Sequence, residues 1–274
     1  MTRAMSLPRT TVKGRLQRPV AADAGSSLEW PLAPETVRLE PGQVHLWAAA
    51  LNQFLDQSPK LAALLSPAEL AGAEKFRFVE DRERFVIRRG LLRLLLSRYL
   101  QQLPAAIEFQ HAAYGKPEVR SAGANAPLFF NTSHSADIAV CAITSACPIG
   151  VDIERTREIP DIQKIARRYF RPRETETLMA LPADSRLHAF YACWTRKEAF
   201  LKTTGEGIAQ GLAKVEVTLA PQDQPAVVSL SGDRRAHQQW QLQPFSPAPG
   251  YLGCVAYRHA VLALSQWRVN SPSS

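Results

Sequence analysis

Two short stretches of this chain hold side chains whose types and spacing could do chemistry together. In Gly150-Val151-Asp152-Ile153-Glu154 the two carboxylates stand two apart, so in an extended chain both point to one face while Val151 and Ile153 point to the other. In Trp194-Thr195-Arg196-Lys197-Glu198-Ala199-Phe200-Leu201-Lys202 the spacing is helical: Glu198 and Lys202 are four apart and share a face, with Trp194 and Phe190 on earlier turns. Three carboxylates and one ammonium that converge would suit a hard cation and a phosphate-bearing substrate, because Mg²⁺ prefers carboxylate oxygens and shares its shell with phosphate and water. Either stretch alone reads as structural, a strand end or a solvated helix stripe held by weak ion pairs. It is their joint occurrence that points to a site.

The elements that must position these groups are legible around them. Residues 149–153 read as a strand, 162–170 and 173–181 as helices, and 187–202 as a longer helix ended at Gly205 and Gly207. Strands follow at 215–219, near 227–230, at 239–244 and at 251–257. Upstream, residues 44–47 alternate as a first strand. Ser66-Pro67-Ala68-Glu69 is a helix start, with Ser as N-cap, Pro at the first helical position and an acid in the first turn. A long helical segment is expected over 71–100, where Phe85, Leu92, Leu96 and Tyr99 recur at helical spacing and Arg84, Arg88, Arg89 and Arg93 occupy other faces.

Tyr114-Gly115-Lys116-Pro117 is a turn, and residues 128–135 and 137–143 are two strands with a short polar connection. Ser133 and His134 near that connection are ordinary turn residues, or else they present a hydroxyl, backbone N–H groups and an imidazole to a phosphate. The halves 44–147 and 149–266 share an order of strand, helices, then strands. This is the pattern of an internally duplicated α+β fold: two similar α/β lobes related by pseudo-twofold symmetry, with the active site in the cleft between them. The expected divisions are a poorly ordered extension over 1–42, an N-terminal lobe over 43–148, a C-terminal lobe over 149–266 and a tail over 267–274.

Composition limits the partners. Thirty-three Lys and Arg against 25 Asp and Glu leave a net charge of +8, which favours an anionic partner without choosing among nucleic acid, anionic lipid, a phosphorylated cofactor or an acidic protein. The most apolar run, 91–100, is broken by Arg93 and Arg98 and is too short to cross a bilayer. No secretory pattern is evident, and Cys141, Cys147, Cys193 and Cys254 form no C-x-x-C pair, so they read as reduced core thiols of a cytoplasmic protein.

On this frame the second lobe carries the acids, and the first supplies Arg84, Arg89, Lys116 and the Ser133-His134 turn. A pyrophosphate-bearing ligand across the cleft would satisfy both halves, since phosphoryl transfer asks chiefly for positioning, a metal and well-placed cations. Two rival classes fit parts of the pattern. One is a Mg-dependent nuclease or phosphohydrolase, distinguished by water as acceptor. The other is a nucleic-acid-binding module, distinguished by steep salt dependence.

Taken in order, the Tyr114–Pro117 turn, Phe130-Asn131-Thr132-Ser133-His134-Ser135, the Gly150–Glu154 run and the Trp194–Lys202 segment resemble a 4′-phosphopantetheinyl transferase of the larger, Sfp-like, pseudo-dimeric type. The resemblance covers about residues 44–260. It implies transfer of phosphopantetheine from coenzyme A to a serine of an apo acyl or peptidyl carrier protein, with release of adenosine 3′,5′-bisphosphate. It further implies that Asp152, Glu154 and Glu198 hold Mg²⁺ against the pyrophosphate. Glu198 would take the serine proton and Lys202 would neutralise charge developing on phosphate. Lys116, Ser133 and His134 would grip coenzyme A phosphates, assisted by Arg89 and Arg84, while Asn131 would hold its turn. The implied partner is an acidic carrier protein, docked against an apolar patch around residues 200–208, with no nucleic acid or membrane partner. The implied assembly is a monomer with an internal pseudo-dimer.

Overall fold

The structure is a computed structural model that describes residues 27–111, 115–120, 127–205, 211–231, 233, 235 and 239–270. The strands are β1 (Gln43–Ala50), β2 (Phe109–His111), β3 (Pro117–Val119), β4 (Phe129–Ser135), β5 (Ile138–Thr144), β6 (Ile149–Arg155), β7 (Val215–Val217), β8 (Val227–Leu230), β9 (Gln241–Phe245), β10 (Tyr251–Tyr257) and β11 (Ala263–Arg268). The helices are α1 (Ser58–Ala62), α2 (Pro67–Ala73), α3 (Val79–Leu100), α4 (Ile162–Tyr169), α5 (Pro172–Ala180) and α6 (Ala183–Thr204). The mixed α+β class read from the sequence is what the chain adopts. None of these helices is long and apolar enough to cross a membrane.

One sheet has the order β11-β1-β5-β4, and a second has the order β6-β10-β9. Strand β1 is nearly all apolar and almost wholly buried because it has neighbours on both edges: β5 antiparallel and β11 parallel. In the second sheet β10 pairs antiparallel with β6 and β9, placing Cys254 opposite Asp152. Helix α6 covers this sheet. Phe190, Trp194, Phe200 and Leu201 on its inner face are buried, and the rings of Phe190 and Trp194 stack at 6.0 Å. The helix ends at Gly205, whose φ of +74° suits glycine and whose N–H bonds the Leu201 carbonyl at 3.0 Å.

The two sheets meet edge to edge at β4 and β6, through side chains. Asn131 Oδ1 accepts the Val151 N–H at 2.9 Å, Ser133 Oγ donates to Asp152 Oδ1 at 2.9 Å, and Ser135 Oγ accepts the Arg155 N–H at 3.0 Å. Every second residue of β4 thus reaches across, because alternate side chains of a strand share a face. Asn131 therefore clasps two strands rather than holding a turn.

Several expectations change in detail. The helical segment expected over 71–100 is broken: Phe78 is extended, with φ −100° and ψ 139°, and Phe76 folds back onto Phe85 at 5.3 Å, so α2 and α3 are separate. The helix start at Ser66 stands, with a full capping box: Ser66 Oγ accepts the Glu69 N–H, and Glu69 Oε2 accepts the Ser66 N–H. Residues 267 and 268, read as the start of a tail, lie in β11, which returns to pair with β1. Part of the 1–42 extension packs as well, since Leu28 and Trp30 are buried and Trp30 Nε1 donates to the Ser246 carbonyl at 3.0 Å. Burial of these apolar groups offsets the entropy of ordering their segment. All four cysteines are buried and free. Tyr114 and Gly207 lie outside the described residues.

Candidate active site

Glycine at position 150 decides how close the helix can come to the strand. A Cβ there would sit 2.1 Å from the Ala199 carbonyl oxygen and 2.6 Å from the Thr203 nitrogen. Its absence lets α6 lie directly on β6, and Thr203 Oγ1 donates to the Ala256 carbonyl of β10 at 2.8 Å to fix the contact. The same turns of α6 carry Glu198 and Lys202, so the close approach delivers both to Asp152.

Lys202 Nζ lies 2.7 Å from Asp152 Oδ1 and donates to Ser133 Oγ at 2.9 Å. Ser135 Oγ donates to Glu154 Oε2 at 2.6 Å. Glu198 is buried, and neither its Oε1 nor Asp152 Oδ2 has a hydrogen-bond partner among the described residues. Burial, then repulsion from Asp152, pushes Glu154 up to about 7 and Glu198 up to about 8. Asp152 is raised as well, by burial, against the opposing pull of Lys202. Three acids thus stand near one ammonium, and without a further cation their burial and mutual repulsion favour holding protons over carrying full charge.

Among the described residues no group of three or more Asp, Glu, His or Cys side chains stands close enough to enclose a metal ion as it is. The residues present nonetheless fit a divalent cation. Two buried carboxylate oxygens lack partners, the donors are all hard oxygens, and the mutual repulsion is of the sign a cation relieves. A pair of hollows elsewhere on the surface, of about 330 and 520 Å³, is lined by none of these residues.

The basic side chains named from the sequence are dispersed around this cluster, on α3, before β3 and on β4. Lys116 Nζ donates to the Ile149 carbonyl at 2.9 Å at the head of β6, and desolvation lowers it to about 8. His134 meets Arg88, and burial, reinforced by Arg88, holds the imidazole neutral, at about 3. Arg84 pairs with Asp137 at 2.6 Å, and Arg89 pairs with Glu69 at 3.2 Å beneath the ring of Phe109. Asp152, Glu154, Glu198, Lys202 and Ser133 are therefore brought together, whereas Arg84 and Arg89 are engaged by carboxylates. Phe200 is buried against Trp240 at 4.4 Å and offers no surface, and residues 206–208 lie outside the described ones.

Sequence reasoning passed over Ser135 and Arg88. Ser135 was findable, because it sits two residues after Ser133 on the same strand face. For Arg88 the sequence holds no signal that separates it from its three arginine neighbours.

Comparison with known proteins bears on the same residues. The family profile described as 4′-phosphopantetheinyl transferase superfamily matches residues 148–261, and one described as 4′-phosphopantetheinyl transferase, N-terminal, matches residues 46–146. The chain is 41% identical over 227 residues to 4′-phosphopantetheinyl transferase HetI of Nostoc sp., covering 83% of this chain and 92% of that protein. It is 30% identical to 4′-phosphopantetheinyl transferase Sfp of Bacillus subtilis, over 74% of this chain and 87% of that protein. It is 32% identical to the human L-aminoadipate-semialdehyde dehydrogenase-phosphopantetheinyl transferase, over 64% of this chain and 60% of that protein. The two profiles between them take in Ser133, Asp152, Glu154, Glu198 and Lys202, and on that extent the chain belongs to the 4′-phosphopantetheinyl transferase superfamily.

Proposed function

We propose that this protein moves the 4′-phosphopantetheinyl group of coenzyme A onto a serine hydroxyl of an acidic apo carrier protein, in a Mg²⁺-dependent reaction in the cytoplasm. In this reading it acts as a monomer whose two lobes are related by a pseudo-twofold axis. The observation that carries it is the convergence of Asp152, Glu154 and Glu198 on Lys202 and Ser133, in a chain of this superfamily.

Asp152, Glu154 and Glu198 would hold Mg²⁺, which supplies charge neutralisation at the pyrophosphate oxygens. A bond forms between the acceptor serine oxygen and the phosphorus that bears the pantetheine. The bond from that phosphorus to adenosine 3′,5′-bisphosphate breaks, and the serine proton passes to Glu198. Lys202, already donating to Ser133 and Asp152, faces the charge that develops on the transferred phosphoryl group. Lys116, Ser133 and His134 would hold phosphate oxygens in place of their present partners. Arg84 and Arg89 would join them only by leaving Asp137 and Glu69. The net charge of +8 speeds encounter with an acidic acceptor more than it tightens the complex.

The test is mass spectrometry of several apo carrier proteins after incubation with this protein, coenzyme A and Mg²⁺. The expected result is a mass gain of one phosphopantetheinyl group, lost when Mg²⁺ is chelated. Unmodified carriers together with Mg²⁺-dependent cleavage of nucleic acid would replace this reading with hydrolysis.

A further inference from the structure

Helix α3 carries Arg84, Arg88, Arg89 and Arg93 within three turns, and the fold treats them unequally. Arg93 and Arg89 both pair with Glu69, at 2.7 and 3.2 Å, and Glu69 also caps α2. Arg84 pairs with Asp137 at 2.6 Å, on the connection between β4 and β5. Three of the four guanidiniums therefore have carboxylates and hold elements together.

Arg88 has no carboxylate at ion-pair distance among the described residues. Its Nε donates to the Arg84 carbonyl at 3.1 Å, and its Nη1 lies 2.5 and 2.8 Å from the two ring nitrogens of His134. The lone pair and the N–H of an imidazole point away from each other in the ring plane. A neutral imidazole has only one acceptor nitrogen, so the ring offers this guanidinium a single uncharged acceptor. His134 follows Ser133 on β4, and Ser133 is bonded to Lys202. Arg88 thus brings a half-buried cation against a ring that also lies within electrostatic range of Lys202. Asp81, two turns earlier on α3, acts on Arg88 only beyond ion-pair distance, and a fork of N–H groups with no carboxylate paired to it is the arrangement that takes a phosphate.

We propose that Arg88, backed by His134, is the arginine of α3 that binds a phosphate of the donor, while Arg89 and Arg93 serve the fold through Glu69. This deepens the proposed function and rests on coenzyme A being that donor.

Titration calorimetry of the full chain with coenzyme A, 3′-dephospho-coenzyme A and inorganic pyrophosphate tests it, on the wild type and on Arg88→Met, Arg88→Lys and Arg89→Met. Arg88→Met should weaken coenzyme A binding about ten- to a hundredfold, with Arg88→Lys recovering part of the loss, since charged hydrogen bonds are the strong ones. Arg89→Met should lose less affinity than Arg88→Met but melt at a lower temperature. A loss for coenzyme A that spares the dephospho form places Arg88 on the 3′-phosphate, and an equal loss for both places it on the pyrophosphate. Affinity of Arg88→Met and Arg88→Lys within twofold of wild type for all three probes would overturn the proposal, as would a larger loss in Arg89→Met. If the wild type binds pyrophosphate through Arg88 yet ignores coenzyme A, the phosphate site stands and the identity of the donor falls.

Discussion

Lys202 Nζ sits 2.7 Å from Asp152 Oδ1 across the packed face of α6 and β6, and the same ammonium reaches Ser133 on the neighbouring sheet. One cation therefore ties three elements, and in the proposed reaction it faces the transferred phosphoryl group. Lys202→Met should cut the single-turnover transfer rate by about 10²–10³ with a smaller change in coenzyme A affinity. A rate within twofold of wild type would remove Lys202 from the chemistry.

Glu198 stands among like charges without a hydrogen bond on Oε1. Glu198→Gln should abolish transfer yet raise the melting temperature of the metal-free protein at alkaline pH by about 2–4 °C, because a buried repulsive charge is removed. Calorimetric scans with Mg²⁺ chelated decide this. A lower melting temperature at full secondary structure would show that Glu198 stabilises the fold.

The pH dependence of the metal-free protein has a definite sign. Glu154 at about 7 and Glu198 at about 8 bind protons more tightly in the folded chain than in the unfolded chain, where both titrate near 4.5. Between those limits the folded state holds more protons, so stability falls as pH rises from about 5 to about 8. Mg²⁺ binds the deprotonated acids, so its stabilising effect should grow over the same range. Melting curves at several pH values with and without Mg²⁺ should nearly coincide at about pH 5 and diverge as pH rises, the metal-bound profile being the higher. A metal-free profile flat across this range would mean that burial and repulsion do not raise these acids.

Gly150→Ala should act at a distance from any substrate. Its methyl would overlap the Ala199 carbonyl and the Thr203 backbone, neither of which can rotate aside, so α6 must shift. Overpacking of this kind costs about 1–3 kcal/mol, and the shift carries Glu198 and Lys202 away from Asp152. Transfer should fall more than the lost stability explains, measured as rate at a temperature where the variant is fully folded. An active variant of lowered stability would mean that the helix accommodates the methyl without moving the acids.

The acids were readable because each sits in a regular element whose period announces its face. Two-residue spacing in β6 and four-residue spacing in α6 were enough to name Asp152, Glu154, Glu198 and Lys202 as pairs. The break between α2 and α3 was less readable, since no Gly or Pro marks the chain between Ala73 and Val79, where Phe76 packs against Phe85. Strand β11 was missed in part because a short, half-buried run at the far end of the chain gains its identity from β1, which lies more than two hundred residues earlier.

What the residues determined by themselves was local: strands, helices, caps, the charge of the chain and the chemical types available. Only tertiary structure decided which cations are free. Arg84, Arg88, Arg89 and Arg93 are chemically identical in sequence, and Glu69 and Asp137 sort them by proximity across elements that no periodicity relates. Ion pairing depends on distance through space, and that distance is set by packing.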